Sequence, residues 1–284
     1  MQESVGLAGN GLCLGYHGKQ VVDGATLEIA AAGVTALVGP NGSGKSTLLR
    51  ALARLHKPDR GEISFPDGES ALTLSSKDFA RRVTLLSQSR PTPNGVSVRD
   101  VVGYGRHPYR GRWRHDDPDG NRAIIHAMDV TGVTMMAERA VDELSGGELQ
   151  RVWLATCLAQ DTGVLLLDEP TTFLDLRYQI EILDLMRDLA DDHGVAVGVV
   201  LHDLNQAAAV ADRIALLDQG VIRATGTPAE VLQADALSET YGIRIEVSVD
   251  PSTGLVTTQP VGKHLQRPTL NKPTQHRPTQ QTTN

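Results

Sequence analysis

Near its amino end the chain reads Gly39-Pro40-Asn41-Gly42-Ser43-Gly44-Lys45-Ser46-Thr47, directly after the apolar run Val34-Thr35-Ala36-Leu37-Val38. The glycines leave backbone N–H groups open to a ligand, and a helix that begins near Lys45 adds the positive end of its dipole. The Lys45 ammonium would reach the β- and γ-phosphates of a nucleotide, and the Ser46 hydroxyl would ligate Mg²⁺. The spacing therefore predicts a phosphate-binding loop, with the whole run from Gly39 to Thr47 contributing to it.

Strands and helices alternate on both sides of this loop. The patterns predict strands over residues 26–30, 34–38, 83–87, 164–167 and 195–201, and helices over 45–55, 148–159 and 178–190. Such alternation is typical of a parallel sheet that is covered on both faces. The mostly helical stretch 91–161 interrupts the alternation, which predicts an inserted helical lobe between core segments at about 1–90 and 162–262.

Two carboxylates, Asp168 and Glu169, follow the apolar run Val164-Leu165-Leu166-Leu167. Ligands of open α/β sheets bind at the carboxyl edge of the strands, so Asp168 would face the phosphate loop and hold Mg²⁺ through water. Glu169 is the next residue and points elsewhere, which suits a general base for an attacking water. A solvated strand end is the alternative for this pair, and the phosphate loop favours the site.

A second helix start lies between these motifs, at Leu144-Ser145-Gly146-Gly147-Glu148. Its hydroxyl and open N–H groups make an anion site without a basic residue. With the other two motifs, this segment resembles the signature of ATPase subunits of ABC transporters, and the resemblance covers about residues 5–262. It implies an α/β fold: a P-loop NTPase (RecA-like) core with a mixed or parallel sheet, a small antiparallel β subdomain and an inserted helical subdomain. It also implies hydrolysis of ATP with Mg²⁺.

The resemblance assigns further roles residue by residue. Gln88 is similar to the Q-loop glutamine, which touches Mg²⁺ and water and links the lobes, and His202 to the switch histidine, which contacts the γ-phosphate. Tyr16 matches the aromatic that stacks on adenine. Asp175 matches the D-loop aspartate near the dimer contact, although Thr172-Phe173-Leu174 stands where the family usually has Ser-Ala-Leu.

The signature implies an assembly. In this family Ser145, Gly146, Gly147 and Glu148 close over ATP held by a second copy, so we expect a head-to-tail homodimer with ATP at the interface. Two separate permease subunits and an extracytoplasmic solute-binding protein would complete the transporter. The chain would then lie on the cytoplasmic face of the inner membrane as a peripheral subunit.

Three segments resemble the iron–siderophore branch of importer ATPases, which also includes haem and cobalamin relatives. They are Gly103-Tyr104-Gly105-Arg106-His107-Pro108-Tyr109, Phe173-Leu174-Asp175-Leu176-Arg177-Tyr178-Gln179-Ile180-Glu181 and Leu201-His202-Asp203-Leu204-Asn205-Gln206-Ala207. The first lies in the lobe that contacts the permease's coupling helix in this family. Arg106, Tyr109, Arg110 and Trp113 are candidates for that contact, and an exposed polar loop is the alternative.

Composition narrows the function classes. The net charge is −7, and the sequence has no basic stripe that would indicate binding to nucleic acid. It also has no sustained heptad repeat of the kind that forms the coiled coils of DNA-repair ATPases. A non-transport ABC ATPase is therefore the weaker alternative. Met1 to Asn10 lacks the pattern of a signal peptide, so we expect none. Residues 263–284 are basic and rich in Pro, Thr and Gln, which predicts a disordered tail; contact with anionic lipid is the alternative.

Overall fold

The computed structural model describes residues 5–16, 18–88, 91–110 and 117–262. The strands of this part are β1 Val5–Tyr16, β2 Lys19–Ala30, β3 Val34–Val38, β4 Arg60–Ser64, β5 Val83–Leu86, β6 Val164–Asp168, β7 Ala196–Val200, β8 Arg213–Asp218, β9 Val221–Gly226, β10 Ile245–Val249 and β11 Val256–Pro260. The α-helices are α1 Lys45–Leu52, α2 Ser76–Ala80, α3 Val98–Gly103, α4 Gly120–Val130, α5 Gly146–Ala159, α6 Leu176–Asp191, α7 Leu204–Val210, α8 Pro228–Val231 and α9 Ala234–Tyr241.

The central sheet has the strand order β5-β6-β7-β3-β8-β9. Neighbours from β5 to β8 run parallel, and β9 pairs antiparallel with β8. Every residue of β3, β6 and β7 is buried, because helices and the second sheet cover both faces. The carboxyl ends of β3 and β6 lie at the same edge, and this edge carries the phosphate loop and Asp168.

Two smaller antiparallel sheets complete the core. One has the order β2-β1-β4 and packs against α1 and the central sheet through Leu12, Leu14 and Ile63. The other is the hairpin β10-β11, which is tied to α7 because Asn205 exchanges hydrogen bonds with Thr258. The pairs β1-β2 and β10-β11 are hairpins of consecutive strands, whereas the β1-β4 pair joins segments that are distant in sequence.

A helical lobe lies between β5 and β6. Helices α3, α4 and α5 bury a core of their own, which includes Val101, Met128 and Val152. The predicted fold class is therefore confirmed, with a mixed sheet, a small antiparallel sheet and an inserted helical part. The tail at 263–284 and Trp113 lie outside the described residues, and the exact domain bounds stay a prediction.

Most predicted elements differ in their bounds by a residue or more, and three of these differences have a visible cause. Helix α1 ends at Leu52 rather than at residue 55, where Arg54 takes a left-handed conformation with φ 59°. Helix α5 begins at Gly146 rather than at residue 148, because Ser145 caps it. The strand predicted over residues 26–30 begins earlier, at Lys19, because pairing with β1 extends it. Among the described residues no helix is both long and apolar enough to cross a membrane.

Candidate functional site

The phosphate loop connects β3 to α1 as predicted. Gly39 has φ 144°, and a Cβ there would lie 2.0 Å from the Leu217 carbonyl oxygen, so no larger residue fits. Gly44, with φ 105°, is the N-cap of α1. The loop is braced from the β8–β9 turn, where the Gly220 N–H donates to the Ser43 carbonyl at 2.9 Å. Open backbone N–H groups and a helix N-terminus thus converge at one end of β3.

Lys45 is buried within the loop. Its Nζ donates to the carbonyl oxygens of Gly39 at 2.8 Å and Pro40 at 2.9 Å. Burial lowers the pKa of the Lys45 ammonium below its ordinary value, while the nearby carboxylates of Glu169 and Asp168 oppose that shift. The ammonium therefore stands between the loop and the two acidic residues at the end of β6.

Asp168 is 1% exposed and has one satisfied oxygen. Its Oδ2 pairs with Arg50 Nη2 of α1 at 3.0 Å, whereas its Oδ1 has no hydrogen-bond partner among the described residues. The Ser43 hydroxyl in the loop is buried and unpartnered in the same sense. Buried polar atoms normally have partners, so orphaned oxygens at this edge fit a site that a phosphate and a hydrated divalent cation would complete. Asp168 and Ser46 are the residues that would hold the cation.

Glu169 gathers the other predicted catalytic residues. Gln88 Nε2 donates to Glu169 Oε2 at 2.6 Å, and His202 Nε2 lies 2.7 Å from Glu169 Oε1. The Thr172 hydroxyl also donates to Oε2, at 3.3 Å. Glu169 has φ 57°, a left-handed conformation that costs a non-glycine residue about 1–3 kcal/mol and often marks a functional turn. The structure thus places Gln88, Glu169 and His202 in one cluster.

The signature segment is a capped helix start. Ser145 accepts from the Glu148 N–H, and the Glu148 carboxylate accepts from the Ser145 N–H at 2.8 Å, which makes a capping box. The Ser145 N–H and, second, the Ser145 hydroxyl donate to the Glu148 carboxylate, and these two bonds lower the pKa of Glu148. A Cβ at Gly147 would lie 2.4 Å from the Tyr178 ring of α6, so glycine is required for this packing. Ser145 and Gly146 are exposed.

Two other predicted site residues lie at the edge of this cluster. Asp175 caps α6 by accepting from the Tyr178 N–H at 3.1 Å. Beside it, Phe173 and Leu176 are 95% and 75% exposed, which leaves an apolar surface at the start of α6. Tyr16 ends β1, and its ring packs against His56 with 4.3 Å between the ring centroids. The adenine-stacking role of Tyr16 stays a prediction.

The segment 103–110 corrects one sequence interpretation. Arg106 is 3% exposed, and it pairs with Asp117 through two bonds of 2.8 and 2.9 Å. Its third nitrogen donates to the Ala159 carbonyl at 3.0 Å, and its guanidinium covers the Tyr109 ring. Arg106 is therefore not available to a permease, because its charge is used inside the helical lobe. Arg110 is exposed.

The profile of the ABC transporter family (ABC_tran) matches residues 22–172. The chain belongs to this family. It is 43% identical to the ferric enterobactin transport ATP-binding protein FepC of Escherichia coli (strain K12), over 93% of this chain and 97% of that protein. It is 46% identical to the hemin import ATP-binding protein HmuV of Nocardia farcinica (strain IFM 10152), over 86% of this chain and 83% of that one.

A solved structure is also similar. The dimeric structure of MJ0796, a bacterial ABC transporter cassette, matches with TM-score 0.68 and 25% identity, over 78% of this chain and 98% of that one. The chain is thus an ATP-hydrolysing cassette, and the predicted fold and enzyme class are confirmed. Such cassettes bind nucleotide and work with membrane-embedded permease subunits.

Sequence reasoning missed one residue of the site. Arg50 contacts Asp168 across 118 positions of sequence, and no local pattern distinguishes it from an ordinary exposed arginine of a helix. Its spacing of five residues after Lys45 is the only signal, and that spacing alone does not indicate the carboxylate it pairs with.

Proposed function

We propose that this chain is the ATP-hydrolysing subunit of an importer for iron–siderophore complexes, and that two copies act together with two permease subunits. The identity of 43% with a ferric enterobactin ATPase subunit, along nearly the whole length of both chains, carries this proposal. The cluster of Gln88, Glu169 and His202 beside a phosphate loop supports the chemistry.

Each residue of the site has a distinct task in this proposal. Glu169 takes a proton from the attacking water, and Gln88 and His202 hold its carboxylate in place. The Lys45 ammonium donates to the β- and γ-phosphates when ATP is bound, in place of its hydrogen bonds to the Gly39 and Pro40 carbonyls. When bound to Asp168 and Ser46, Mg²⁺ supplies positive charge against the phosphates.

The second copy completes the site. Ser145 and Gly146 form an exposed helix start, and backbone N–H groups at such a start bind anions. Phe173 and Leu176 expose apolar surface next to Asp175, as expected for a contact that a second cassette covers. The dimeric cassette MJ0796 supports this arrangement.

A cleft between the core and the helical lobe fits the permease. It has a volume of about 550 Å³, and its walls include Arg54, Phe79, Trp153 and the exposed side chains of Leu55 and Tyr104. Apolar and polar side chains both line this groove, and a short amphipathic helix from a partner can bind in a groove of this kind. Tyr104 belongs to the segment that resembles the permease-contacting part of importer ATPases.

Hemin is the second candidate solute, because the Nocardia farcinica relative is a hemin import protein with 46% identity. Uptake of ferric siderophore and of hemin, measured in cells with and without the chain, separates the two. If cells without the chain lose only ferric siderophore uptake, the proposal is supported. If they lose only hemin uptake, hemin replaces the iron–siderophore complex as the proposed solute.

A mixed-dimer experiment tests the composite ATP site. One variant carries Lys45→Ala and the other Ser145→Arg, so each homodimer has two defective sites. In the heterodimer one site carries both lesions and the other combines an intact Lys45 with an intact Ser145. We expect mixing to restore ATP hydrolysis and ATP-dependent closure. Ser248→Arg, on the exposed face of β10, is the matched control and should hydrolyse ATP like the parent.

A site built within one chain gives the opposite result, because each subunit then keeps its own lesion. Closure is measured beside turnover, since strict cooperation between two sites could mask hydrolysis at one. No recovery in either assay, with the heterodimer verified, would reject the two-copy site.

A further inference from the structure

Residues 170–174 form a loop that directly follows Glu169, and glutamines from two helices hold its backbone. Gln150 of α5 donates from Nε2 to the Pro170 carbonyl at 3.0 Å. Gln179 of α6 donates from Nε2 to the carbonyl oxygens of Thr171 at 3.4 Å and of Leu174 at 3.0 Å. We call this segment the 170–174 loop.

A third glutamine joins the loop to α7. Gln206 accepts from the Thr171 hydroxyl at 3.1 Å and donates from Nε2 to Gln179 Oε1 at 2.9 Å. Thr171 is 7% exposed, and both glutamines are half-buried. The bonds therefore form a continuous chain from α7 through α6 to the loop, largely away from water.

The donor and the acceptor of every hydrogen bond in this series are determined. Gln179 must present its NH₂ to two carbonyl oxygens, so only its Oε1 remains to accept from Gln206. Gln206 must then use its own Oε1 for the Thr171 hydroxyl. A carboxylate at either position would place oxygen against oxygen, although its shape is the same.

The three helices share one further property: each begins within two residues of a residue that the proposed two-copy ATP site uses. Helix α5 begins after Ser145, α6 after Asp175, and α7 two residues after His202. We propose that Gln179 and Gln206 are positioning residues that make the 170–174 loop move together with these helix starts. The loop then presents Asp175 to the second copy when ATP is bound. This inference rests on the proposed two-copy ATPase.

The test uses Gln206→Glu, which keeps the size of the side chain and removes the donor to Gln179. In the Glu169→Gln background, we expect ATP affinity within twofold of the parent, since the phosphate loop is untouched. ATP-dependent dimerisation, measured by analytical ultracentrifugation, should weaken roughly tenfold because buried polar groups lose their partners. With Glu169 intact, kcat should fall roughly tenfold and KM for ATP should change little.

A second substitution provides the rescue. In the double variant Gln179→Lys, Gln206→Glu, the ammonium donates both to the loop carbonyls and to the new carboxylate, which still accepts from Thr171. Dimerisation should therefore recover most of the loss. Gln233→Glu is the matched control, because it makes the same change at an exposed position that precedes α9, where a carboxylate is favourable, and it should behave like the parent.

The outcomes separate the two proposals. If the Glu169→Gln parent fails to dimerise with ATP, the two-copy function fails and this inference fails with it. If the parent dimerises and Gln206→Glu does so equally well, only the positioning role is overturned. Gln206→Glu could instead lose its fold or its ATP affinity, without recovery in the double variant. That result would show that the glutamines merely support the fold, and it would also overturn the positioning role. Gln179→Met removes the same loop bonds without adding a charge and should also weaken ATP-dependent dimerisation; dimerisation equal to that of the parent would overturn the positioning role.

Discussion

The buried pair of Arg106 and Asp117 should be a main support of the helical lobe. The Arg106 and Asp117 side chains are 3% and 11% exposed, and two hydrogen bonds join them. In Asp117→Asn the guanidinium stays charged and buried but keeps only one good acceptor in place of two. Removing one partner of a buried ion pair costs about 3–5 kcal/mol, and the retained acceptor places this variant near 3 kcal/mol.

The assay is thermal unfolding followed by circular dichroism and calorimetry at neutral pH. For a chain of this size, 3 kcal/mol corresponds to a fall in Tm of roughly 6–12 °C. Asp119→Asn is the matched control, because Asp119 pairs with Arg122 on the exposed surface and such pairs contribute about 0–1 kcal/mol. A Tm of Asp117→Asn within about 2 °C of the parent would refute the reasoning.

The same pair predicts a pH dependence with a definite sign. The hydrogen bonds that Asp117 accepts from Arg106 hold the pKa of Asp117 below the usual range of a carboxyl. A depressed pKa stabilises the folded state above the unfolded pKa of about 4, and this contribution disappears as pH falls through the folded value. The Tm difference between the parent and Asp117→Asn should therefore be constant near neutrality and shrink below about pH 4. A difference that grows in acid would contradict the assignment.

Three further changes have clear expectations. Glu169→Gln should lower kcat by about 10²–10⁴-fold and retain ATP binding, since the amide cannot take a proton; turnover within threefold of the parent would remove Glu169 from this role. Burial raises the pKa of Tyr241 to about 12, so the free energy of unfolding of the parent should fall by about 2–3 kcal/mol between pH 10 and 12. The fall should be smaller in Tyr241→Phe, which has no phenol to ionise. An equal fall in both proteins, measured by denaturant unfolding at each pH, would contradict this. Deletion of residues 265–284 should leave Tm and ATPase rate nearly unchanged, because that segment has few apolar residues to bury; a fall of several degrees would show that it docks.

Much of the site could be predicted because its motifs are contiguous. The phosphate loop, the carboxylates after β6 and the signature each depend on a strand end or a helix start that local sequence encodes. The resemblance to ABC ATPases then singled out Gln88 and His202, and the structure places both against Glu169. Their roles there stay predictions.

Arg106 shows where sequence reasoning could not succeed. An arginine in a polar segment suggests an exposed contact, and nothing local reveals the carboxylate at Asp117 or the carbonyl at Ala159. The same holds for Arg50, which meets Asp168 only after the sheet has formed. The role of a long charged side chain depends on the residue with which it pairs, and for Arg106 and Arg50 these partners lie elsewhere in the sequence.

The alternation of strands with helices, the phosphate loop after β3 and the acidic residues at the end of β6 could all be predicted from the amino-acid sequence. These features follow from hydrophobic periodicity and from glycine spacing, which act over a few residues. The surface that the helical lobe buries became visible only in the folded chain, as did the convergence of Gln150, Gln179 and Gln206 on the loop after Glu169. Hydrogen bonds and ion pairs between distant segments depend on how the helices pack against the sheet, and packing is a property of the whole chain.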